Sequence, residues 1–587
     1  MAGRPASCVD QAVNLHQRAI AAWQRGEAET AVALLRKAVD ADPRSQVAAN
    51  DLGNMLAQLG RTAEAMAAYR RAIRIAPEYP EAHNNLANVC QMAGELEEAV
   101  AGYQAALRLR PQYAEAHRNL GSALWRLGRT QEAVAALTAA ASLNPGYTEA
   151  IALLAHQLRQ LCDWSMVDDL AGRLIAAVEA GSGAVNPFVF LSLPATPRQQ
   201  RLCAEQWTRA RKLGAGAVPP LPAKRDRITL GYLSADFQEH ATAHLIAELF
   251  VLHDRGRFRV NGYSYGVDDG SAARRRLRDS FDAFVDLEKL SHPDAAERIR
   301  ADGADILVDL KGYTTGARPE ILALRPAPIQ VSYLGFPGTM GMPAMDYILV
   351  DEFVVPASQQ EHFTEKLVHL PHCYQVNDRR RPIAPAPTRA ACGLPETGFV
   401  FCCFNASYKI TPAIFDIWMR LLDKVPGSVL WLLETSAAAS ANLRREAEAR
   451  LQGGADRLVF APTLGNPEHL ARFAVADLFL DTLPYNAHTL ASDSLWGGCP
   501  VLTCAGETFA SRVAGSLLHA AGLPELVTST LAEYESLALR LATSSGELAA
   551  LRARLARDRR ELPLFDTPRF ACDLEAAFEW MLRQRQG

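Results

Sequence analysis

Glu81–Pro111 reads EAHNNLANVCQMAGELEEAVAGYQAALRLRP. Leu86, Ala87, Ala99, Tyr103 and Ala106 recur at helical spacing, with Gly94 between the two runs and Pro111 after the second. A glycine ends a helix because it accepts the left-handed conformation past the last turn, and a proline cannot continue one. The stretch is therefore two helices joined by a tight turn. Small residues such as Ala87 and Ala99 let the pair pack closely, and larger ones fill the groove between neighbours. The punctuation repeats every 34 residues: Pro43, Pro77, Pro111 and Pro145; Gly26, Gly60, Gly94 and Gly128; Ala31, Ala65, Ala99 and Ala133.

A step of that length with these residue types is the tetratricopeptide signature, one helix-turn-helix per repeat. The repeats run from about Gln11 to about Gln160. A fifth unit starts near Thr148, but LRQLCDWSMVDDL places Cys162 where the glycine belongs. A degenerate terminal repeat caps a solenoid or docks it on a neighbour. The whole chain has 587 residues, enough for three or four domains, so the repeats fill only its first quarter. Hydrophobic content of 49%, charged content of 21% and a net charge of −4 fit an ordinary folded protein and point to neither nucleic acid nor anionic membrane. The eleven cysteines form no CxxC pair and many sit in apolar runs, which suits reduced core residues in the cytoplasm. The N-terminal MAGRPASCVDQAV has no signal-peptide core, and no apolar run reaches membrane-spanning length.

From Arg227 the period changes. RITLGYLSADF, FRVNGYSYG, ADILVDLKGY, PIQVSYLGFP and DYILVDEF are short β-rich apolar runs separated by helical stretches. This alternation predicts a parallel sheet covered on both faces. NDRRRPIAPAPTRAACGLPE reads as a linker, and GFVFCCFN, SVLWLLE, RLVFAP, DLFLDTLP and CPVLTC form a second α/β set. Pro568–Arg583 reads as a helix with Phe570, Leu574, Phe578 and Met581 on one face. The expected organisation is repeats over 1–160, a helical junction over 161–225, and Rossmann-like domains over 226–385 and 386–587 that face a cleft. Ligands of such sheets bind beyond the carboxyl ends of the strands.

Three stretches carry chemistry at those ends. In CCFNASYKITPAIFDIWMRLL a strand ends near Phe404, a helix starts at Thr411-Pro412, and Lys409 lies just before it. A cation beside free helix amides suits phosphate; the plainer alternative is a surface lysine. In DLFLDTLPYNAHTLASDSLWGGCP a helix starts near Thr489, so His488, Thr489 and the amides of Thr489 to Ala491 would face an anion, with Asp493 one turn on for two hydroxyls. The plainer alternative there is a capped helix with a polar loop. Two such helix starts in one half suit a nucleoside diphosphate. In GYLSADFQEHATAHL, Asp236 and His240 fall at the cleft edge. His240 and His244 are four apart, but no glutamate or third ligand accompanies them, so no metal is expected and His244 reads as a core histidine.

Taken together, GYLSADFQEHATAHL, ILVDLKGYTTGARPEILALRPAPIQVSYLGFPGTMG, FNASYKI, YNAHTLASDSLWGGCPVLT and GETFASRV closely resemble the O-linked N-acetylglucosamine transferase family. The resemblance extends over nearly the whole chain, including the repeats and the LCDWSMVDDL junction. It implies an inverting, metal-independent, cofactor-free glycosyltransferase of the two-Rossmann, GT-B type. The donor would be UDP-N-acetylglucosamine and the acceptor a Ser or Thr hydroxyl of an intracellular protein.

By that resemblance Lys409 neutralises the leaving diphosphate, His488 and Thr489 hold its phosphates, and Asp493 holds the ribose. His469 and Arg472 match the uracil-binding stretch, and Leu464 counts with them as donor-binding. His240 and Thr242 match polar residues at acceptor and sugar. Asp236 matches a carboxylate that receives the proton through water; the residues themselves leave Asp236 and His240 both open as base. Leu334, Gly335 and Pro337 match the sugar-pocket wall. Asn85 and Asn119, one period apart, match an asparagine ladder that grips extended peptide on the concave face, although Asp51 breaks the ladder. The chain departs from the family at Ala406, where an amide side chain is usual in the donor site, at Leu490 for the second threonine of HTT, at Asn466 for a lysine and at Ala241 for a proline. The expected partners are protein or peptide acceptors and a UDP-sugar, with no nucleic acid and no membrane; oligomeric state is left open. The alternatives are a SPINDLY-type fucosyltransferase using a GDP donor, and a scaffold whose transferase half has decayed.

Overall fold

A computed structural model describes residues 8–221 and 226–586. The first seven residues of the MAGRPASCVDQAV stretch and the proposed boundary at 225 lie outside or at the edge of the described residues. The chain divides into two compact units, Met1–Gln157 and Leu158–Gly587.

The first unit is all helical. Its pairs are Cys8–Gln24 with Ala28–Ala41, Gln46–Gln58 with Thr62–Ile75, Pro80–Ala93 with Leu96–Leu109, and Ala114–Arg126 with Thr130–Leu143. Gly26, Gly60, Gly94 and Gly128 have φ of +81°, +73°, +86° and +74°, so the periodic glycine is the left-handed residue that reverses the chain. Ala31, Ala65, Ala99 and Ala133 are completely buried where each pair closes.

The second unit contains two parallel sheets. β1 (Ile228–Ser234), β2 (Phe258–Ser264), β3 (Ala283–Asp286), β4 (Ile306–Asp309), β5 (Ile329–Ser332), β6 (Tyr347–Asp351) and β7 (Lys366–Leu370) lie in the order β3-β2-β1-β4-β5-β6-β7. β8 (Val400–Cys403), β9 (Val429–Leu433), β10 (Leu458–Ala461), β11 (Leu478–Leu480), β12 (Val501–Cys504) and β13 (Val527–Thr528) lie in the order β10-β9-β8-β11-β12-β13. The five strands expected in each half are present. The order reverses between β1 and β4 and between β8 and β11, the crevices where such sheets bind ligands. The junction contributes the helices Val167–Ala180, Pro187–Phe190 and Pro197–Ala210.

Two features differ from the sequence reading. The final helix, Thr567–Gln586, serves the first sheet rather than the second: Glu575 accepts from the Asp254 amide at 2.8 Å, and Trp580 packs edge-on to Tyr347 on β6. The stretch read as a linker is also tied to both halves by ion pairs. Arg379 and Arg380 pair with the fully buried Glu248, Arg276 pairs with Asp378, and Arg381 pairs with Asp493. No helix among the described residues is long and apolar enough to cross a membrane.

Candidate active site

The carboxyl ends of the central strands of the two sheets open on a cavity of about 370 Å³. Asp236, His240, Thr242, Leu334, Gly335, Ala406, Lys409, His488, Thr489 and Leu490 all line it, so the sequence-derived set from both halves converges. Pro337 is buried and does not line the cavity.

Lys409 ends the short 3₁₀ turn Ser407–Lys409, which follows β8 and precedes the helix Pro412–Lys424. Its ammonium donates to the Asn486 carbonyl at 2.8 Å and stands 3.9 Å from the centre of the Tyr485 ring. Among the described residues no carboxylate pairs with it. Burial pushes its pKa down to about 8, with the nearby Asp481 charge opposing. Asp481 is itself pushed up to about 6 by burial, despite hydrogen bonds from Thr503 and the Ala487 and Thr482 amides. An ammonium at the edge of its charged range gains most from an incoming anion.

The helix Thr489–Trp496 points its start at the same cavity. Among the described residues the Thr489 and Leu490 amides have no hydrogen-bond partner, so two N–H groups at a positive helix end face the space. Leu490 has no hydroxyl but retains that amide. The His488 imidazole is a different case. Burial and the Lys409 charge keep it neutral, and Nε2 lies 3.2 Å from the Ala510 carbonyl. That contact assigns the proton to Nε2, so the backbone amides, not the ring, are the anion donors here. The second helix start differs from expectation. Thr411 caps its own helix through Oγ1 to the Ile414 amide, and no residue of that helix lines the cavity. The other helix start on the cavity belongs to the first half, at Ala241–Leu252.

On that side the Thr242 amide donates to His240 Nδ1 at 3.2 Å, which places the ring proton on Nε2; burial holds the ring's pKa below its ordinary value. Asp236 Oδ2 lies 3.5 Å from the same Nδ1, and Oδ1 accepts from Lys311 Nζ at 2.6 Å. Lys311 was missed in the sequence. It follows β4, lines the cavity and is 6% exposed, like Asp236. Applying the strand-end rule to ADILVDLKGY would have found it. His244 bonds to Glu239 at 2.8 Å. Leu334 is a non-glycine residue at φ +67°, and a Cβ on Gly335 would lie 2.0 Å from the Leu310 carbonyl oxygen, so the LGFPG wall requires glycine there.

His469, Arg472 and Asp493 form a buried polar group beside the cavity lining. His469 Nε2 is 3.6 Å from Asp493 Oδ2, Arg472 bonds to His469 Nδ1, and its guanidinium sits 4.0 Å over the Phe404 ring. Burial pushes the Asp493 carboxyl up, but Arg381 and His469 outweigh it and hold it below the usual carboxylate range. Leu464 and Arg472 also line a separate apolar recess of about 310 Å³. Arg381 was the other missed residue; the linker reading concealed it.

In the first unit, Asn85 Nδ2 donates to Asn50 and Asn54 at 3.0 and 3.1 Å. Asn119 is 4% exposed and donates to Asn84 at 3.0 Å. These amides clasp successive repeats. Asp51, the odd member of the ladder, takes His16 at 2.8 Å.

Residues 194–386 and 383–574 match the model of glycosyl transferase family 41. Residues 15–37, 53–94, 92–128 and 114–147 match tetratricopeptide repeat models. The chain is 38% identical over 452 residues to the Arabidopsis thaliana protein named probable UDP-N-acetylglucosamine–peptide N-acetylglucosaminyltransferase SEC, covering 72% of this chain and 46% of that one. It is 31% identical over 546 residues to the Caenorhabditis elegans UDP-N-acetylglucosamine–peptide N-acetylglucosaminyltransferase, covering 71% and 47%. A Petunia hybrida relative with the same enzyme name and the designation SPINDLY is 32% identical over 369 residues, covering 61% and 39%. The chain thus spans about half the length of the first two relatives. Its fold is similar to the solved structure of a lysine-to-methionine mutant of the Thermobaculum terrenum O-GlcNAc transferase, with TM-score 0.67 and 30% identity over 92% of this chain and 98% of that one.

Proposed function

We propose that this chain, which belongs to glycosyl transferase family 41, moves N-acetylglucosamine from UDP-N-acetylglucosamine to Ser or Thr hydroxyls of proteins in the cytoplasm, with inversion and without a divalent ion. The observation that carries this reading is that the Lys409 ammonium and the amides of Thr489 and Leu490, which have respectively no carboxylate and no acceptor partner among the described residues, belong to residues lining one cavity. In the proposed step the acceptor oxygen forms a bond to the anomeric carbon while the bond to the diphosphate breaks. The electron pair leaves with UDP, and Lys409 and the two amides meet that charge as preorganised donors. The acceptor proton passes through water to Asp236, because His240 has its Nδ1 lone pair engaged and offers the cleft only an N–H. Strong basicity is not needed where proton loss is late, so a carboxylate suffices as the acceptor.

His469, Arg472, Leu464 and Asp493 would hold the nucleoside, and Leu334, Gly335, Thr242 and Ala406 the sugar, with Pro337 supporting that wall from beneath. Asn85 and Asn119 mark the repeat face assigned to extended acceptor peptide. Calorimetric titration with UDP, UDP-N-acetylglucosamine and GDP-fucose, with turnover measured in EDTA, tests the proposal. UDP-sugar binding and turnover in chelator are expected. Preference for GDP-fucose would move the chain to the fucosyl reading, and full dependence on added divalent cation would refute the role of Lys409 as the charge that replaces a metal.

A further inference from the structure

We propose that the turn Gln160–Trp164, buried at Leu161 and Cys162, is the element that positions Lys409, with Cys162 as its working side chain; this rests on the reading of Lys409 given above. The starting observation is a break in the sequence period. Gly26, Gly60, Gly94 and Gly128 all adopt positive φ, and the next step of the register falls on Cys162. Cys162 retains the left-handed conformation, at φ +49°, and is completely buried. A side chain is strained there and glycine is not. A chain that uses glycine four times in this role and then accepts strain keeps the thiol for what it touches.

The thiol touches the catalytic turn. Cys162 Sγ donates to the Ser407 carbonyl at 3.7 Å, and Ser407 opens the 3₁₀ turn that ends at Lys409. Ser407 Oγ donates in return to the Gln160 carbonyl at 2.6 Å and accepts from Thr435 Oγ1 at 3.2 Å. Two further contacts fix the partner segment. Asn442 Nδ2 donates to the Leu161 carbonyl at 2.9 Å, and Trp164 packs edge-on to Phe415, 5.3 Å away on the helix that follows Lys409. The 3₁₀ turn is therefore held from behind by reciprocal bonds to Gln160 and Cys162, while its lysine reaches the other way to Asn486. Reacting groups tolerate little displacement, and this clasp lies two residues from the ammonium.

The test compares the full chain with Cys162→Gly, Cys162→Ser and Ser407→Ala. Glycine relieves the strain, so Cys162→Gly is expected to unfold at the same temperature or higher. It should nevertheless lower kcat for UDP-sugar turnover about tenfold with KM held within about twofold. Amide exchange over residues 406–410 should accelerate about tenfold, a local opening with no global loss. Cys162→Ser, which keeps a donor to the Ser407 carbonyl, should recover most of kcat. Parental kcat and parental exchange in Cys162→Gly would overturn the proposal. If the parent chain turns over no UDP-sugar, the assigned reaction fails instead, and amide exchange alone decides whether the clasp holds the turn. If Cys162→Gly does not accumulate, unchanged exchange in Ser407→Ala overturns the proposal and accelerated exchange supports it.

Discussion

Lys311 and Lys409 both stand just past the carboxyl end of a central strand, one in each half, and both line the same cavity. Their surroundings are opposite. Lys311 lies 2.6 Å from the Asp236 carboxylate, with both side chains 6% exposed, so its charge is already spent. Lys409 has a carbonyl and an aromatic face but no paired carboxylate among the described residues, and burial lowers its pKa to about 8. A cation that is paired holds a structure together. A cation kept short of a partner stores electrostatic free energy until an anion arrives. In the function proposed above, this asymmetry is the reason for putting the departing diphosphate against the second sheet and the acceptor side against the first.

The sharpest way to break this contrast is Lys311→Met. It removes one partner of a buried ion pair and leaves Asp236 uncompensated, which costs about 3–5 kcal/mol of stability. Urea unfolding should record that loss, and adding Asp236→Asn should restore much of it. A single mutant as stable as the parent would mean that Lys311 is no more committed than Lys409.

Lys409→Met should do the reverse. Lys409 has no ion-pair partner among the described residues and feels Asp481 only as a nearby charge, so its removal should cost less stability than Lys311→Met, while turnover falls by about a hundredfold to a thousandfold, or about 3–4 kcal/mol of transition-state stabilisation. UDP affinity should fall only modestly. The same lysine predicts the pH profile. Its pKa of about 8 in the folded chain lies below the unfolded value of about 10.4. As pH rises through about 8 the ammonium of the free protein is lost and kcat/KM falls. Over the window from there to about 10.4 the unfolded chain binds more protons, so this group's contribution to stability rises with pH. Activity and stability should therefore diverge above pH 8 in the parent, and the divergence should vanish in Lys409→Met. A kcat/KM that stays level across that window would show that the ammonium form is not required.

Legibility in the sequence followed how local each determinant is. The repeats were readable because glycine, alanine and proline each mark one fixed place in a 34-residue unit. The central strands were readable as apolar runs because both faces are covered. The edge strands β3 and β7 were not, since exposed and half-buried positions interrupt their apolar runs, and β13 has only two residues. The last helix was recognised by its apolar face, but nothing in that face says which sheet it covers. At the site, Lys409 and Thr489 were found from a strand, a loop and a helix start within one short stretch. Lys311 and Arg381 were not, because their meaning lies in carboxylates 75 and 112 residues away.

The smallest effect applies the same question, committed or available, to amides. The asparagine ladder was expected to offer Asn85 and Asn119 to a peptide, yet both donate within the repeats, Asn85 to two acceptors and Asn119 from a buried position. Each such bond is worth about 1 kcal/mol. Replacing both asparagines with alanine removes three such bonds and should therefore destabilise the first unit by about 3 kcal/mol, read by amide exchange of its helices. It should slow transfer to protein acceptors and spare hydrolysis of the UDP-sugar. Stability loss with normal protein transfer would place these amides with Lys311, as parts of the frame. Slower transfer in a fully stable variant would place them with Lys409, held ready for a ligand. The two results separate because, in the proposed function, hydrolysis uses the cleft alone, whereas protein transfer would also need the acceptor chain held along the repeats.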